Sequence, residues 1–304
     1  MKCAVTIGSY DGVHLGHQKI IKELTGYCLK NDLKSVVIYF PIPPKLYIHK
    51  NWKDNIITTP KEREKILKSL GVEEVVKLNF NEKLSQKTAL EFFADFIIKK
   101  YDPKFIVVGK DFSIGKNREA NYAWLREISK INGLKCKVLQ FVKYKHHKIS
   151  SSLIRQFLHL GRIKEANFCL GRNYSISGVV IKGAGIGRKM GYPTANLEVN
   201  PIKILPKGIF AVIVKIENKY YKAVASIGVR PTLKTLGMRL MAEVHILNFD
   251  RDIYGETLEV FFVEKIRNEM KFLDMKALIK QIETDIAKAE KIFSKNRELY
   301  NKVF

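Results

Sequence analysis

The chain is 304 residues long, 46% hydrophobic and 28% charged, with a formal net charge of +24. That length suits two ordinary domains, each with its own core; no apolar run approaches the roughly 20 residues of a membrane span, and no export segment precedes the first strand, so a cytoplasmic protein is expected. The positive charge would suit a nucleic-acid binder, but the lysines are spread over nearly every helix and loop, which disfavours nucleic acid and leaves nucleotide-sized polyanions equally attracted.

Apolar strand-like runs alternate with helical patterns from the N-terminus to about residue 170. Cys3–Ile7 is followed by a helix opening near Gly16, with Ile20, Ile21, Leu24 and Cys28 at helical spacing. Ser35–Phe40 reads as a strand, and Pro60–Leu70 as a helix with proline in its first turn. A strand over Val72–Leu78 precedes a helix over Thr88–Lys100, with Leu90, Phe93, Phe96 and Ile97 on one side. Lys104–Val108, a helix near Asn121–Ile131, and Cys136–Val142 continue the series. This alternation predicts an α/β domain, a Rossmann-like parallel sheet covered by helices on both faces. In such sheets ligands bind beyond the carboxyl ends of the strands, where Gly8–His17 and Gly109–Gly115 would fall.

Two short helices, Ser151–Leu160 and Ile163–Leu170, close this half. The texture then changes to short strands parted by Gly, Pro and Asn, with examples at Ser175–Ile181, Ile209–Ile216, Tyr221–Ile227, Ala242–Leu247 and Leu258–Val263. That spacing predicts a small antiparallel β-barrel. A C-terminal helix over Leu273–Phe293 would present Leu278, Ile282, Ile286, Ala289 and Phe293 as its apolar stripe. Domains over 1–170 and 171–304 are therefore expected. Cys3, Cys28, Cys136 and Cys169 show neither a CxxC pair nor metal-ligand spacing, which reads as free thiols in a reducing compartment.

The stretch Gly8-Ser9-Tyr10-Asp11-Gly12-Val13-His14-Leu15-Gly16-His17 joins a strand to a helix start. Free N–H groups there favour phosphate, Gly16 lets a ligand approach the backbone, and two histidines can neutralise charge developing on a phosphoryl group. The bland alternative is that both rings satisfy local backbone groups. The segment resembles the HxGH motif of the nucleotidyltransferase superfamily. In its longer form it resembles the FMN adenylyltransferase end of bacterial bifunctional riboflavin kinase/FAD synthetases.

Further segments carry the same resemblance. Ile149-Ser150-Ser151-Ser152-Leu153-Ile154-Arg155 is similar to the family's ISSTxIR pattern, with Ser152 in place of Thr; alone, a serine run before a helix is most often an N-cap. Gly109-Lys110-Asp111-Phe112-Ser113-Ile114-Gly115 resembles its GxDFxFG loop, although Ser113 and Ile114 replace residues that are usually basic and aromatic. Ile42 stands where many relatives have His. The resemblance implies nucleotide or phosphate contacts for Gly8, Asp11, Gly16, Asp111, Ser151, Ser152 and Arg155, and catalysis by His14 and His17.

The second half has its own motif set. Gly183-Ala184-Gly185-Ile186-Gly187-Arg188 could fold over phosphates, although a glycine-rich hairpin reads equally well. Gly191-Tyr192-Pro193-Thr194-Ala195-Asn196 resembles the GFPTAN segment of riboflavin kinases, with Tyr192 for Phe. Pro206-Lys207-Gly208-Ile209-Phe210-Ala211 and Ile227-Gly228-Val229-Arg230-Pro231-Thr232 are similar to barrel segments of the same kinases. Period-2 geometry puts Glu243 and His245 on one strand face and Ala242, Val244 and Ile246 on the other. A rim carboxylate paired with a lysine is the plain reading of Glu243; the resemblance implies the kinase's base. It also implies Mg²⁺ on Thr194 and Asn196, ATP phosphates near Gly183, Gly185, Gly187 and Arg188, and flavin along Arg267, Glu269 and Phe272. No Walker-type GxxxxGK[ST] occurs.

The reading implied is a bifunctional enzyme. Its C-terminal domain would convert riboflavin and ATP to FMN and ADP; its N-terminal domain would convert FMN and a second ATP to FAD and diphosphate. A homo-oligomer is compatible with the sequence. An HxGH adenylyltransferase for another metabolite would leave Pro193–Asn196 and Glu243 without a task. A nucleic-acid-binding protein would show steeply salt-dependent binding and no turnover.

Overall fold

Five strands pair as a parallel sheet: Cys3–Gly8 (β1), Lys34–Tyr39 (β2), Glu74–Lys77 (β3), Phe105–Gly109 (β4) and Lys135–Leu139 (β5), in the order β3-β2-β1-β4-β5. The structure, a computed structural model, describes residues 2–53, 55–183, 185–231 and 238–295. Alternate residues of the central strands enter two separate cores, which is why those strands read as unbroken apolar runs. Val5, Ile7, Val36, Ile38, Ile106 and Val108 share one core with Phe92, Phe93, Ile97 and Leu125. Ala4, Val37, Tyr39, Phe105 and Val107 share the other with Ile21, Leu24 and Cys28 of helix Leu15–Asn31 (α1) and Leu67 of helix Pro60–Ser69 (α2).

Local chemistry sets the helix starts. Thr59 and Glu62 form a reciprocal capping box at α2, with proline in its first turn, and Asn121 caps helix Tyr122–Ile131 (α3). The helix expected over Thr88–Lys100 is interrupted by a π-helical turn at Ala94–Ile98. Its inward face is Ala89, Phe92, Phe93 and Ile97, whereas Leu90, expected on that side, is exposed because it falls off this i, i+3, i+4, i+8 series.

The chain divides into two compact units at Leu153/Ile154. Helix Ser151–His159 (α4) spans that division, and Ile163–Leu170 (α5) follows. Ser175–Ile181 (β6), Ala195–Val199 (β7), Gly208–Ile216 (β8), Lys219–Pro231 (β9), Met238–Ile246 (β10) and Thr257–Arg267 (β11) form a closed antiparallel barrel in the order β6-β7-β10-β9-β8-β11. Strand β7 begins in the last two residues of the Gly191–Asn196 motif and was not among the expected strands.

Helix Met275–Lys295 (α6) packs outside the barrel, with Ala289 and Phe293 against Ala211, Ile213 and Val263. Strand β8 is consequently buried on both faces. Leu278, Ile282 and Ile286 of the expected stripe are only half-buried, and Asp285 occupies the buried line instead. Its carboxylate takes two bonds from Arg267 Nε at 2.9 Å and one from Nη2 at 2.7 Å, which is why an acid is tolerated there. All four cysteines are free, and burial pushes Cys28 and Cys169 up to about 11. Among the described residues no helix is long and apolar enough to cross a membrane.

Candidate active sites

Strand order in the sheet reverses between β1 and β4, because the chain first runs outward through β2 and β3 and then crosses to β4 and β5. A cavity of about 600 Å³ opens there. Gly8, His14, Gly16, His17, Asp111, Ser151 and Ser152 all line it, so three segments far apart in sequence meet at the switch point of the sheet.

The turn that carries the histidines is backbone-strained. Tyr10, Gly12 and Val13 have φ of 49°, 84° and 39°, and a β-branched residue at positive φ persists only where its surroundings hold it. Those surroundings are visible. The Asp11 carboxylate accepts from the backbone N–H groups of Ile57 and Thr58 and forms a fully buried ion pair with Arg63 at 3.1 Å. Arg63 also donates to the carbonyls of Ser9, Phe40 and Thr58 at 2.7–2.9 Å, tying together the chain just beyond β1 and β2. Thr6 donates to the Val107 carbonyl at 2.6 Å, so the 2.6 Å contact between Thr6 and Tyr10 hydroxyls is donated by Tyr10. Burial pushes the Tyr10 phenol well above its ordinary value, which keeps it a donor. Asp11 therefore anchors the turn and does not line the cavity.

His14 is the N-cap of α1: its Nδ1 accepts from the His17 N–H at 3.3 Å. The proton of a neutral His14 then resides on Nε2, where it can be donated to a ligand. The two imidazoles stack at 3.6 Å with 16° between planes. Gly16 permits this, since a Cβ there would stand 3.1 Å from the His14 ring. Across the cavity each serine has a distinct place. Ser150 caps α4 by accepting from the Leu153 N–H, Ser151 donates to the Asp11 carbonyl at 2.8 Å, and Ser152 is exposed at the rim. Arg155 follows one turn later on α4.

Asp111 is the sole carboxylate among the residues lining the cavity, and it pairs with Lys148 at 2.6 Å. Lys45, His49, Arg118 and Lys148 also line it and were not singled out in the sequence. Arg118 donates to the Ser113 hydroxyl at 2.7 Å, so a guanidinium does reach the loop where Ser113 replaces a basic residue. Ile42 is absent from the lining, whereas His49 is present.

The second constellation lies on the outer face of the barrel. Antiparallel pairing sets Asn196 of β7 directly opposite Glu243 of β10, and Glu243 directly opposite Ser226 of β9. Ala242, Val244 and Ile246 are buried inside, as the alternation predicts. The glycine loop sits close to this row. A Cβ on Gly183 would overlap the Asn196 amide, and one on Gly187 would stand 2.5 Å from the Tyr192 carbonyl and 3.2 Å from the Thr194 hydroxyl. Gly185 is left-handed at φ 70° and opens the short helix Ile186–Lys189, which carries an exposed Arg188.

Of the three residues expected along a flavin, Arg267 is committed to Asp285 and lies 5.8 Å from the centre of the Phe272 ring. The Glu269 carboxylate occupies the niche that a side chain on Gly228 would fill. Thr232, the last residue of the Ile227–Thr232 segment, lies outside the described residues. No sequence motif marks Ser226; only the β9–β10 register sets it opposite Glu243.

Comparison with known proteins gives two matched families. Residues 1–153 match the FAD synthetase family and residues 170–293 match the riboflavin kinase family. A bifunctional riboflavin kinase/FMN adenylyltransferase of Buchnera aphidicola subsp. Schizaphis graminum is 37% identical over 293 residues, which cover 96% of this chain and 94% of that protein. The protein of the same name from Escherichia coli K12 is 33% identical, with 96% and 93% covered. A crystal structure titled macrolide-efflux protein from Streptococcus pneumoniae superposes with a TM-score of 0.86 at 34% identity, covering 95% of this chain and 94% of that one.

Proposed function

The chain belongs to the bifunctional riboflavin kinase/FMN adenylyltransferase family, and from that premise we propose how its residues divide two ATP-dependent reactions. The C-terminal barrel phosphorylates riboflavin to FMN with release of ADP. The N-terminal domain adenylylates FMN to FAD with release of diphosphate. We set the working boundary at residues 170/171 and place both reactions in the cytoplasm, where ATP is available.

In the barrel, Glu243 takes the proton of the ribityl 5′-hydroxyl as that oxygen attacks the γ-phosphorus of ATP. The observation that carries this reading is the cross-strand pair Asn196–Glu243 with the glycine loop laid against Asn196 and Thr194. The Thr194 hydroxyl and the Asn196 amide offer hard oxygen donors, and the described residues hold no cluster of three His, Cys, Asp or Glu side chains that could hold a metal alone. That set suits Mg²⁺ shared with substrate phosphates, where it would neutralise charge on the β- and γ-phosphates. Gly183 and Gly187 let the loop lie directly against Asn196, Tyr192 and Thr194.

In the N-terminal cavity the FMN phosphate attacks the α-phosphorus, and diphosphate leaves. His14, able to donate from Nε2, and His17, stacked on its ring, both stabilise charge on the reacting phosphates in this reading. Ser152 and Arg155 grip the departing diphosphate, while Ser151 holds α4 against the turn. FMN already carries a competent nucleophile, so no covalent enzyme intermediate is required.

One incubation with riboflavin, ATP and Mg²⁺, followed by chromatography, should show FMN and then FAD. The double variant His14→Ala/His17→Ala should make FMN at nearly the normal rate and no FAD. Glu243→Ala should make no FMN yet convert added FMN to FAD. Equal damage to both steps in either variant would remove the two-site reading.

A further inference from the structure

We infer that His245 is a positioning residue for phosphoryl transfer: it holds the Pro193–Thr194 segment through its ring N–H, and so fixes the hydroxyl that Thr194 presents beside the strand-paired Asn196. The inference rests on reading the barrel as the kinase.

The β7–β10 ladder begins at Ala195 opposite Val244, so strand pairing does not reach Tyr192, Pro193 or Thr194. Proline also has no N–H to contribute to a ladder. His245 supplies the missing tie. It lies on the same outward face as Glu243, two residues on, and its Nδ1 is 2.8 Å from the Pro193 carbonyl oxygen. A carbonyl only accepts, so Nδ1 carries the proton. The Tyr192 ring meets His245 edge-on at 5.7 Å and 76°, and its hydroxyl reaches Glu283 of α6 at 3.2 Å. The Tyr192 N–H donates to the Gly187 carbonyl at 2.9 Å. One segment is thus tied to the strand bearing Glu243, to the glycine loop and to the C-terminal helix, and His245 makes the tie that sets it against Glu243.

The test compares two amides in the full-length chain. In His245→Asn the side-chain nitrogen stands where Nδ1 stood; in His245→Gln it reaches the Nε2 position and loses the carbonyl. We expect His245→Gln to raise the KM for Mg-ATP or lower kcat by about tenfold, the effect of one lost hydrogen bond at a polar site. His245→Asn should stay within about threefold of wild type. Quenching of riboflavin fluorescence, which reports flavin binding by a folded barrel, should be equal in all three proteins. Equal kinetics for Asn and Gln, at any level, overturns the inference, as does loss of flavin binding in both, which would make His245 a folding residue. Wild-type chain that leaves riboflavin unphosphorylated would instead overturn the kinase reading itself.

Discussion

Gly16 has helical backbone angles, so its need for glycine comes from a neighbour: a methyl group would press on the His14 ring that caps the same helix. Gly16→Ala should therefore slow FAD formation from FMN at least about tenfold, the effect of moving one charge-stabilising donor, and leave riboflavin phosphorylation unchanged. Gly183→Ala should do the converse, because its methyl group would displace the Asn196 amide; product chromatography distinguishes the two. Asp11→Ala strands the buried Arg63 charge and should cost about 3–5 kcal/mol, read as a lower urea midpoint. His14, His17 and the serine run were legible because the chemistry of a helix start is local in sequence. Asp11 was legible as part of that motif but not in its task, since its partner Arg63 comes 52 residues later among 54 basic side chains. Lys148 and Arg118 were hidden by the same lysine-rich background.

Whole elements were easier to read than single side chains. The period-2 pattern of β10 separated Glu243 from its buried neighbours correctly, since a closed barrel has an apolar inside. Strand β7 was obscured because its first residues belong to a motif of turn-like composition. The C-terminal helix was legible in type and nearly in extent, yet Asp285 in its buried line defeated a reading by apolar stripe. Such an acid makes sense only once Arg267 is known to lie beneath it. Asp285→Ala should leave that arginine without its carboxylate and destabilise the barrel by about 3 kcal/mol, measured by denaturation. The loss of the clamp on Arg267, next to Phe272, should also raise the KM for riboflavin more than that for ATP.

At the level of the molecule, two active sites on separate domains predict complementation. Glu243→Ala and His14→Ala/His17→Ala should each fail to make FAD from riboflavin, but an equimolar mixture should make it after a lag set by FMN accumulating in solution. A mixture that stays silent would mean FMN does not reach the second site through solvent. Chelation of divalent metal should stop FMN formation. The sheet and the barrel differ in one further respect. A closed barrel has no unpaired edge, whereas β3 and β5 each leave a row of backbone groups with no neighbouring strand among the described residues. Both edges carry lysine: Lys77 on β3, and Lys135 and Lys137 exposed on β5. A charged ammonium on an edge strand blocks the addition of another chain, because pairing would bury it or set it against its counterpart. Lys135→Val/Lys137→Val should therefore increase light scattering on concentration while both activities persist.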